Sequence, residues 1–176
     1  MTRILDFACG PGVGKSLLSA LIYAEMKRRG YNVEYVQEYP KKLVWLERFE
    51  ELNNQYNISF KQYRILKALQ GKVDYLIFDS SLISGLYYNK YNPDNNSNVE
   101  KTEQAILKWY KEFNTRTIFL QRGDYVYENS GRYQSFEEAQ KVDTQIHDLL
   151  EEQKIHYFNI ASDIRNVDAI IDILVV

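Results

Sequence analysis

Ile4-Leu5-Asp6-Phe7-Ala8-Cys9-Gly10-Pro11-Gly12-Val13-Gly14-Lys15-Ser16-Leu17-Leu18 is the stretch from which the rest of the chain can be read. Ile4 to Ala8 has the pattern of a short buried strand, and Leu17, Leu18, Leu21 and Ile22 then recur at helical spacing. Between them lies Gly10-Pro11-Gly12-Val13-Gly14-Lys15-Ser16. Glycines at a strand-to-helix turn let successive backbone N–H groups point inward around phosphate oxygens. The helix N-terminus adds a dipole that favours anions. In that setting Lys15 is expected to bridge the β- and γ-phosphates of ATP, and the Ser16 hydroxyl to ligate Mg²⁺. The expected nucleotide-binding set is Gly10, Pro11, Gly12, Val13, Gly14, Lys15, Ser16 and Leu17. Cys9 stands where the full pattern has glycine or alanine. It reads either as a small buried residue or as a thiol acidified by the helix N-terminus and open to oxidation.

Outward from this stretch, apolar runs alternate with helical patterns. Lys27-Arg28-Arg29-Gly30 closes the first helix with a basic turn and a glycine. Asn32 to Glu38 reads as a second strand stopped by Pro40, followed by helices around 41–52 and 59–70. Tyr75 to Phe78 is a third strand and Thr117 to Leu120 a fourth, with a helical stripe of Ala105, Ile106, Trp109, Tyr110 and Phe113 between them. Ser135-Phe136-Glu137-Glu138 has the spacing of a capping box. The helix it opens carries Ala139, Val142, Ile146, Leu149 and Leu150 on one face. Tyr157 to Ile160 is a fifth strand, and Val167, Ile170, Ile171 and Leu174 suggest a closing helix. Asn92-Pro93-Asp94-Asn95-Asn96-Ser97-Asn98 marks a surface loop. Strands alternating with helices predict an α/β domain spanning 1–176, with a parallel sheet covered on both faces. Ligands of such sheets sit at the carboxyl ends of the strands.

The candidate chemistry gathers at those ends. Asp79 closes the third strand, where a carboxylate orients Mg²⁺; its other reading is a helix cap, since Ser80 and Ser81 follow. Glu38 closes the second strand, placed to hold an acceptor hydroxyl in line or take its proton. Arg122 follows the fourth strand and Arg132 lies in the polar stretch Glu128-Asn129-Ser130-Gly131-Arg132. Either arginine would offset charge on a transferring phosphoryl group. Lys61, Gln62 and Arg64 lie on a predicted helix that would read a base or a phosphate, or simply be its polar face. Trp45 and Trp109 read as packing residues, with Trp45 also near an acceptor pocket. His147 and His156 are isolated and receive no role.

Composition narrows the classes. A net charge of −2 argues against a general charge-driven nucleic-acid binder. One cysteine permits no internal disulfide. The N-terminus lacks the apolar core of a signal peptide, and no run is long enough for a membrane helix. A cytoplasmic protein is expected. The sequence leaves the oligomeric state open, a homodimer included.

Taken together, the loop Gly10 to Ser16, Glu38-Tyr39-Pro40, Asp79-Ser80-Ser81 and Gly131-Arg132 before a long helix make the chain resemble the P-loop nucleoside and nucleotide kinases. The likeness is to small kinases of the nicotinamide-riboside kinase type and their phage-encoded relatives, and the asparagine- and tyrosine-rich composition resembles that of phage proteins. The resemblance implies a three-layer fold with five parallel strands in the order 2-3-1-4-5, helices on both faces and a lid at 121–136. It also implies ATP and Mg²⁺ as cofactors and a kinase transferring the γ-phosphate to a hydroxyl of a nucleoside or nucleotide. Two departures stand out: Ser80 replaces the arginine of the Asp-Arg-Ser motif of deoxynucleoside kinases, and Tyr39 separates Glu38 from Pro40. Some phage relatives act on hydroxymethyluracil within DNA, and Lys41, Lys42, Lys61 and Arg64 would flank such a strand. A partner-dependent P-loop ATPase is the other alternative, although it needs a glutamate where Ser80 follows Asp79.

Overall fold

The computed structural model describes residues 2–123 and 135–176. Five strands form one sheet: β1 (Arg3–Phe7), β2 (Val33–Val36), β3 (Tyr75–Phe78), β4 (Asn114–Gln121) and β5 (Tyr157–Ala161). Their order is β2-β3-β1-β4-β5, and every neighbouring pair is parallel. This is the order the resemblance implied. The helices are α1 (Lys15–Arg28), α2 (Tyr39–Trp45), α3 (Phe49–Leu52), α4 (Gln55–Leu69), α5 (Ser84–Tyr91), α6 (Val99–Lys111), α7 (Phe136–Glu152) and α8 (Val167–Val175), with a 3₁₀ turn at Ile164–Asn166.

The period-2 alternation of β1 divides the core between the two sheet faces. Leu5, Phe7 and Cys9 pack with Leu18, Ile22 and Met26 of α1 and Ile170, Ile171 and Leu174 of α8. Ile4 and Ala8 face the other layer, with Leu66 of α4, Leu86 of α5, Ile106 and Trp109 of α6, and Val142, Ile146 and Leu149 of α7. The capping box at the head of α7 is formed in both directions, Ser135 Oγ accepting from Glu138 N–H and Glu138 accepting from Ser135 N–H.

Three elements differ from expectation. The helix expected over 41–52 is two helices, because Glu47 adopts a left-handed φ of 55°. Glu47 N–H then bonds Val44 O, and Arg48 N–H bonds Leu43 O, a Schellman ending made without glycine. The fourth strand starts three residues earlier than expected, since Asn114, Thr115 and Arg116 pair with Arg3, Ile4 and Leu5. Helix α5 had no counterpart in the sequence reading. Its Gly85 lies where a Cβ would come within 2.8 Å of Ser59 Oγ and 3.0 Å of Gln55 Nε2, so close packing of α5 on α4 calls for glycine.

Asp6 is the exception in β1, a carboxylate 2% exposed on an otherwise apolar face. Its Oδ2 accepts a 2.5 Å bond from Ser81 Oγ, while Oδ1 is buried with no partner among the described residues. Burial pushes Asp6 up to about 7, against the pull of the Ser81 hydroxyl. The native state therefore holds a proton that the unfolded chain has released between pH 3.8 and about 7. Stability falls as pH rises through that window, and the loss is complete above it. At ~1.4 kcal/mol per pH unit it amounts to about 4 kcal/mol. Asp6→Asn, which cannot ionise, is expected to melt higher than the parent at pH 8, with the gap narrowing through pH 5 and closing only near pH 3.8. Thermal melts that keep a constant gap from pH 5 to 8 would show that Asp6 does not titrate in this range.

Candidate active site

The loop between β1 and α1 turns through Gly12 at φ 74° and Gly14 at φ 99°, values that favour glycine. Gly14 is the N-cap of α1, so the free N–H groups of the first helical turn open onto the loop. Lys15 reaches back over the loop, its Nζ donating to Gly10 O at 3.0 Å. The outer side of the loop is held by the rest of the fold. Ser162, after β5, donates its hydroxyl to Val13 O. Arg122, after β4, donates from Nη2 to Pro11 O at 2.7 Å. Gly10 N–H donates to Asp143 Oδ1 of α7 at 2.7 Å. The approach is so close that a Cβ on Gly10 would stand 2.5 Å from that oxygen and 3.0 Å from Ala139 O.

Asp79 follows β3 and is fully buried. Its N–H donates to Val36 O, and its Oδ2 accepts from Tyr35 OH at 2.9 Å. Its Oδ1 is buried and has no hydrogen-bond partner among the described residues. Helix capping, the other reading of Asp79, is not its task. The N-cap of α5 is Ile83, and the local turn is tied by Ser81 Oγ, which accepts from Ile83 N–H and donates to Asp6. Glu38 is half-buried at the N-cap position of α2, and its side chain makes no cap bond.

One field joins these groups. Burial disfavours the Lys15 ammonium, but Cys9, Glu38, Asp79 and Asp143 more than reverse this, and Lys15 titrates above its ordinary value. Burial raises the Tyr35 phenol, and Asp79 and Glu38 raise it further. Cys9 is 3% exposed, and burial pushes its thiol up to about 12 despite Lys15 nearby. Burial thus favours the reading of Cys9 as a small buried residue over that of an acidified thiol. Burial raises Asp143 from its ordinary value, opposed by Arg122 and the Gly10 N–H.

Of the residues singled out in the sequence, Lys15, Glu38 and Asp79 come together at the carboxyl ends of β1, β2 and β3. Arg122 arrives there too, but its Nε pairs with Asp143 Oδ2, and both side chains are about 15% exposed. Its guanidinium also lies 5.9 Å from the centre of the Phe136 ring. Arg132, with most of the expected lid, lies outside the described residues. Lys61 is drawn to its own surroundings, donating to Tyr39 OH at 2.6 Å and lying 3.5 Å from Glu51. Gln62 is 4% exposed on the face of α4 that also carries buried Gln55 and Ser59, whereas Arg64 and Lys42 are exposed. Trp109 is a core residue, and Trp45 is 63% exposed. Among the described residues no group of three His, Cys, Asp or Glu side chains converges on a metal position, and no helix is long and apolar enough to cross a membrane.

Three site residues escaped the sequence reading: Tyr35, Asp143 and Ser162. Tyr35 looked like one alternation of a strand. Asp143 sits next to Val142 of the apolar stripe of α7 and was given no reading. Ser162 carried no signal beyond its place after the fifth strand.

A family model described as an AAA domain matches residues 7–166. Solved structures share the fold over nearly the whole chain. The NadR protein, in complex with NAD and AMP-PNP, is 12% identical with a TM-score of 0.69, over 99% of this chain and 50% of that one. The chain thus spans about half the length of the NadR chain. The YorR protein from Bacillus subtilis, in complex with phosphorylated GDP, is 14% identical with a TM-score of 0.56, over 99% and 94%. Deoxyadenosine kinase from M. mycoides, with products dCMP and a flexible dCDP, is 16% identical with a TM-score of 0.59, over 98% and 97%. No curated protein matches the sequence. At such identities the likeness is one of fold: a P-loop nucleoside and nucleotide kinase-like α/β sandwich.

Proposed function

The chain belongs to the AAA-domain family, and from that membership and its kinase-like fold we propose that it is a phosphotransferase moving the γ-phosphate of ATP onto a hydroxyl of a nucleoside or nucleotide. The observation that carries the reading is the glycine loop closed over by Lys15, with the fully buried Asp79 after the neighbouring strand β3 presenting an unpartnered Oδ1; the charges of Glu38 and Asp79 both favour the Lys15 ammonium. A site for hydrolysis alone would be better served by a glutamate beside Asp79, and Ser80 is there instead. A carboxylate on the far side of the loop, at Glu38, suits a second substrate.

In this reading the inward N–H groups of Gly12 to Ser16 and the Lys15 ammonium hold the phosphate chain. The buried, unpartnered Asp79 Oδ1 and the hydroxyl of Ser16 in the first turn of α1 fit an Mg²⁺ ion whose remaining ligands are phosphates and water. Such an ion would supply charge neutralisation of the phosphates. Tyr35 fixes Asp79 through Oδ2, leaving Oδ1 aimed away from that bond. Glu38 orients the acceptor hydroxyl and takes its proton as the new oxygen–phosphorus bond forms and the bond to the β-phosphate bridge breaks, releasing ADP. With Arg122 engaged by Asp143 and Pro11, Arg132 is the better candidate to meet charge on the phosphoryl group. Gln62 and Ser84, both buried on the α4–α5 side, are the polar groups offered to an acceptor; Ser84 Oγ has no partner among the described residues.

The test is transfer of label from γ-labelled ATP·Mg²⁺ to a panel of free nucleosides and nucleotides, with DNA carrying normal or hydroxymethylated bases alongside. Label on a free small molecule is expected. Label on DNA alone would move the acceptor to the polynucleotide, and free phosphate from every mixture would replace the kinase with an ATPase.

A further inference from the structure

We propose that Asp143 is a positioning residue for nucleotide binding: it holds the first turn of the phosphate loop from behind, through Gly10 N–H, while Arg122 serves as its counter-ion and second clasp. The inference rests on reading the loop as an ATP site, but it concerns residues that do not touch the phosphates.

The geometry comes from three contacts. Asp143 uses one oxygen for Gly10 N–H at 2.7 Å and the other for Arg122 Nε. Arg122 uses a different nitrogen for Pro11 O at 2.7 Å. Two consecutive loop residues are thereby tied, one by its donor and the next by its acceptor, to a single ion pair. The pair is about 85% buried, so water competes little with it. Charge-assisted bonds of this kind are shorter and stronger than neutral ones.

The post behind the clasp is rigid. Helix α7 is capped at Ser135, and its buried Ala139 and Val142 flank Asp143 on the side facing Gly10. Lys15 binds Gly10 O, so residue Gly10 is held through its N–H by α7 and through its C=O by the lysine that is to meet phosphate, across two successive peptide groups. A shift of Gly10 would displace both the loop and the Lys15 ammonium. Preorganising the loop removes an ordering cost that the nucleotide would otherwise bear on binding. Arg122, which the sequence offered as a phosphate-facing arginine, is thus assigned to the loop rather than to the transferring group.

The experiment uses the full chain and measures the Kd of AMP-PNP·Mg²⁺ and, separately, kcat and KM for ATP. Asp143→Ala is expected to weaken AMP-PNP binding about 10- to 100-fold, the scale of one charge-assisted bond together with an uncompensated partner. Its effect falls on KM for ATP more than on kcat. A purely structural loss would reduce the active fraction, and so kcat, at unchanged KM. Asp143→Asn retains an acceptor for Gly10 N–H and is expected to recover part of the affinity. Arg122→Ala tests the other half of the clasp, and combining it with Asp143→Ala should cost less than the sum of the two. If Asp143→Ala does not fold, Asp143→Asn and Arg122→Ala carry the test, since both are expected to bind AMP-PNP more weakly. Parental affinity in the folded variants would overturn the proposal while leaving the kinase reading intact. A parent chain that does not bind AMP-PNP would overturn the ATP-site reading and the proposal with it. Binding of AMP-PNP by the parent without transfer to any acceptor would sink only the kinase reading, because the affinities still report on Asp143.

Discussion

Lys15→Ala is expected to reduce phosphoryl transfer by at least ~10³-fold, the scale seen when a principal charge-stabilising group is removed from a transition state, with the fold preserved. The expectation of an intact fold follows from how little of the fold Lys15 supports. Its one side-chain hydrogen bond among the described residues is to Gly10 O within its own loop. The expectation of lost activity follows from what surrounds it. Glu38, Asp79 and Asp143 all act on Lys15, and together with Cys9 they outweigh the burial that would discharge it. Asp143 keeps Arg122 as its counter-ion, but without the ammonium Glu38 and Asp79 would face an incoming polyphosphate with no lysine to offset them. Like charges at this range oppose binding as well as transfer, so affinity for ATP should fall together with kcat. Turnover by label transfer and a thermal melt by circular dichroism give both readings on one preparation. Near-parental turnover would remove Lys15 from the mechanism.

Much of this site could be seen in the sequence because its parts are local. The glycines, Lys15 and Ser16 are contiguous, and β3 was legible to the residue because Tyr75-Leu76-Ile77-Phe78 is apolar throughout and ends at Asp79. The strand order came from family resemblance, as no local pattern encodes which strands are neighbours. Where side-chain pattern and backbone pairing part company, the sequence misled. Asn114-Thr115-Arg116 is polar, yet it is strand, since pairing with β1 needs only main-chain groups. The break at Glu47 carried no glycine to announce it.

The clasp behind the loop was invisible for a different reason. Gly10 and Asp143 are 133 positions apart, and nothing in the composition around Asp143 separates it from the solvated acids of the same helix. Tyr35 and Asp79 are likewise 44 positions apart and meet only because β2 and β3 are paired with Val36 opposite Phe78. Arg122 shows the intermediate case. Its position after β4 placed it at the carboxyl edge, but the partner it meets there, Asp143 of α7, is one that no local pattern could name.

Glu38→Gln tests whether the site has an acceptor side distinct from its nucleotide side. We expect kcat to fall about 100-fold or more, as for loss of a positioned general base, while KM for ATP stays close to the parent's. Glutamine keeps the size and the hydrogen-bonding reach of the side chain but cannot take a proton. The substitution should not disturb α2, whose first turn contains Pro40 and draws no cap bond from the Glu38 side chain. Nor does it touch the loop's own supports, which come from Ser162, Arg122 and Asp143. It does remove one of the carboxylates that favour the Lys15 ammonium, but Asp79 and Asp143 remain to hold that charge. A large loss of kcat at constant ATP affinity, measured with the acceptor identified by label transfer, would place Glu38 with the acceptor hydroxyl. A raised KM for ATP with unchanged kcat would instead assign Glu38 to the nucleotide, and the proton of the acceptor would then need another destination among the groups at the strand ends, of which Asp79, with an unpartnered Oδ1, is the nearest in kind.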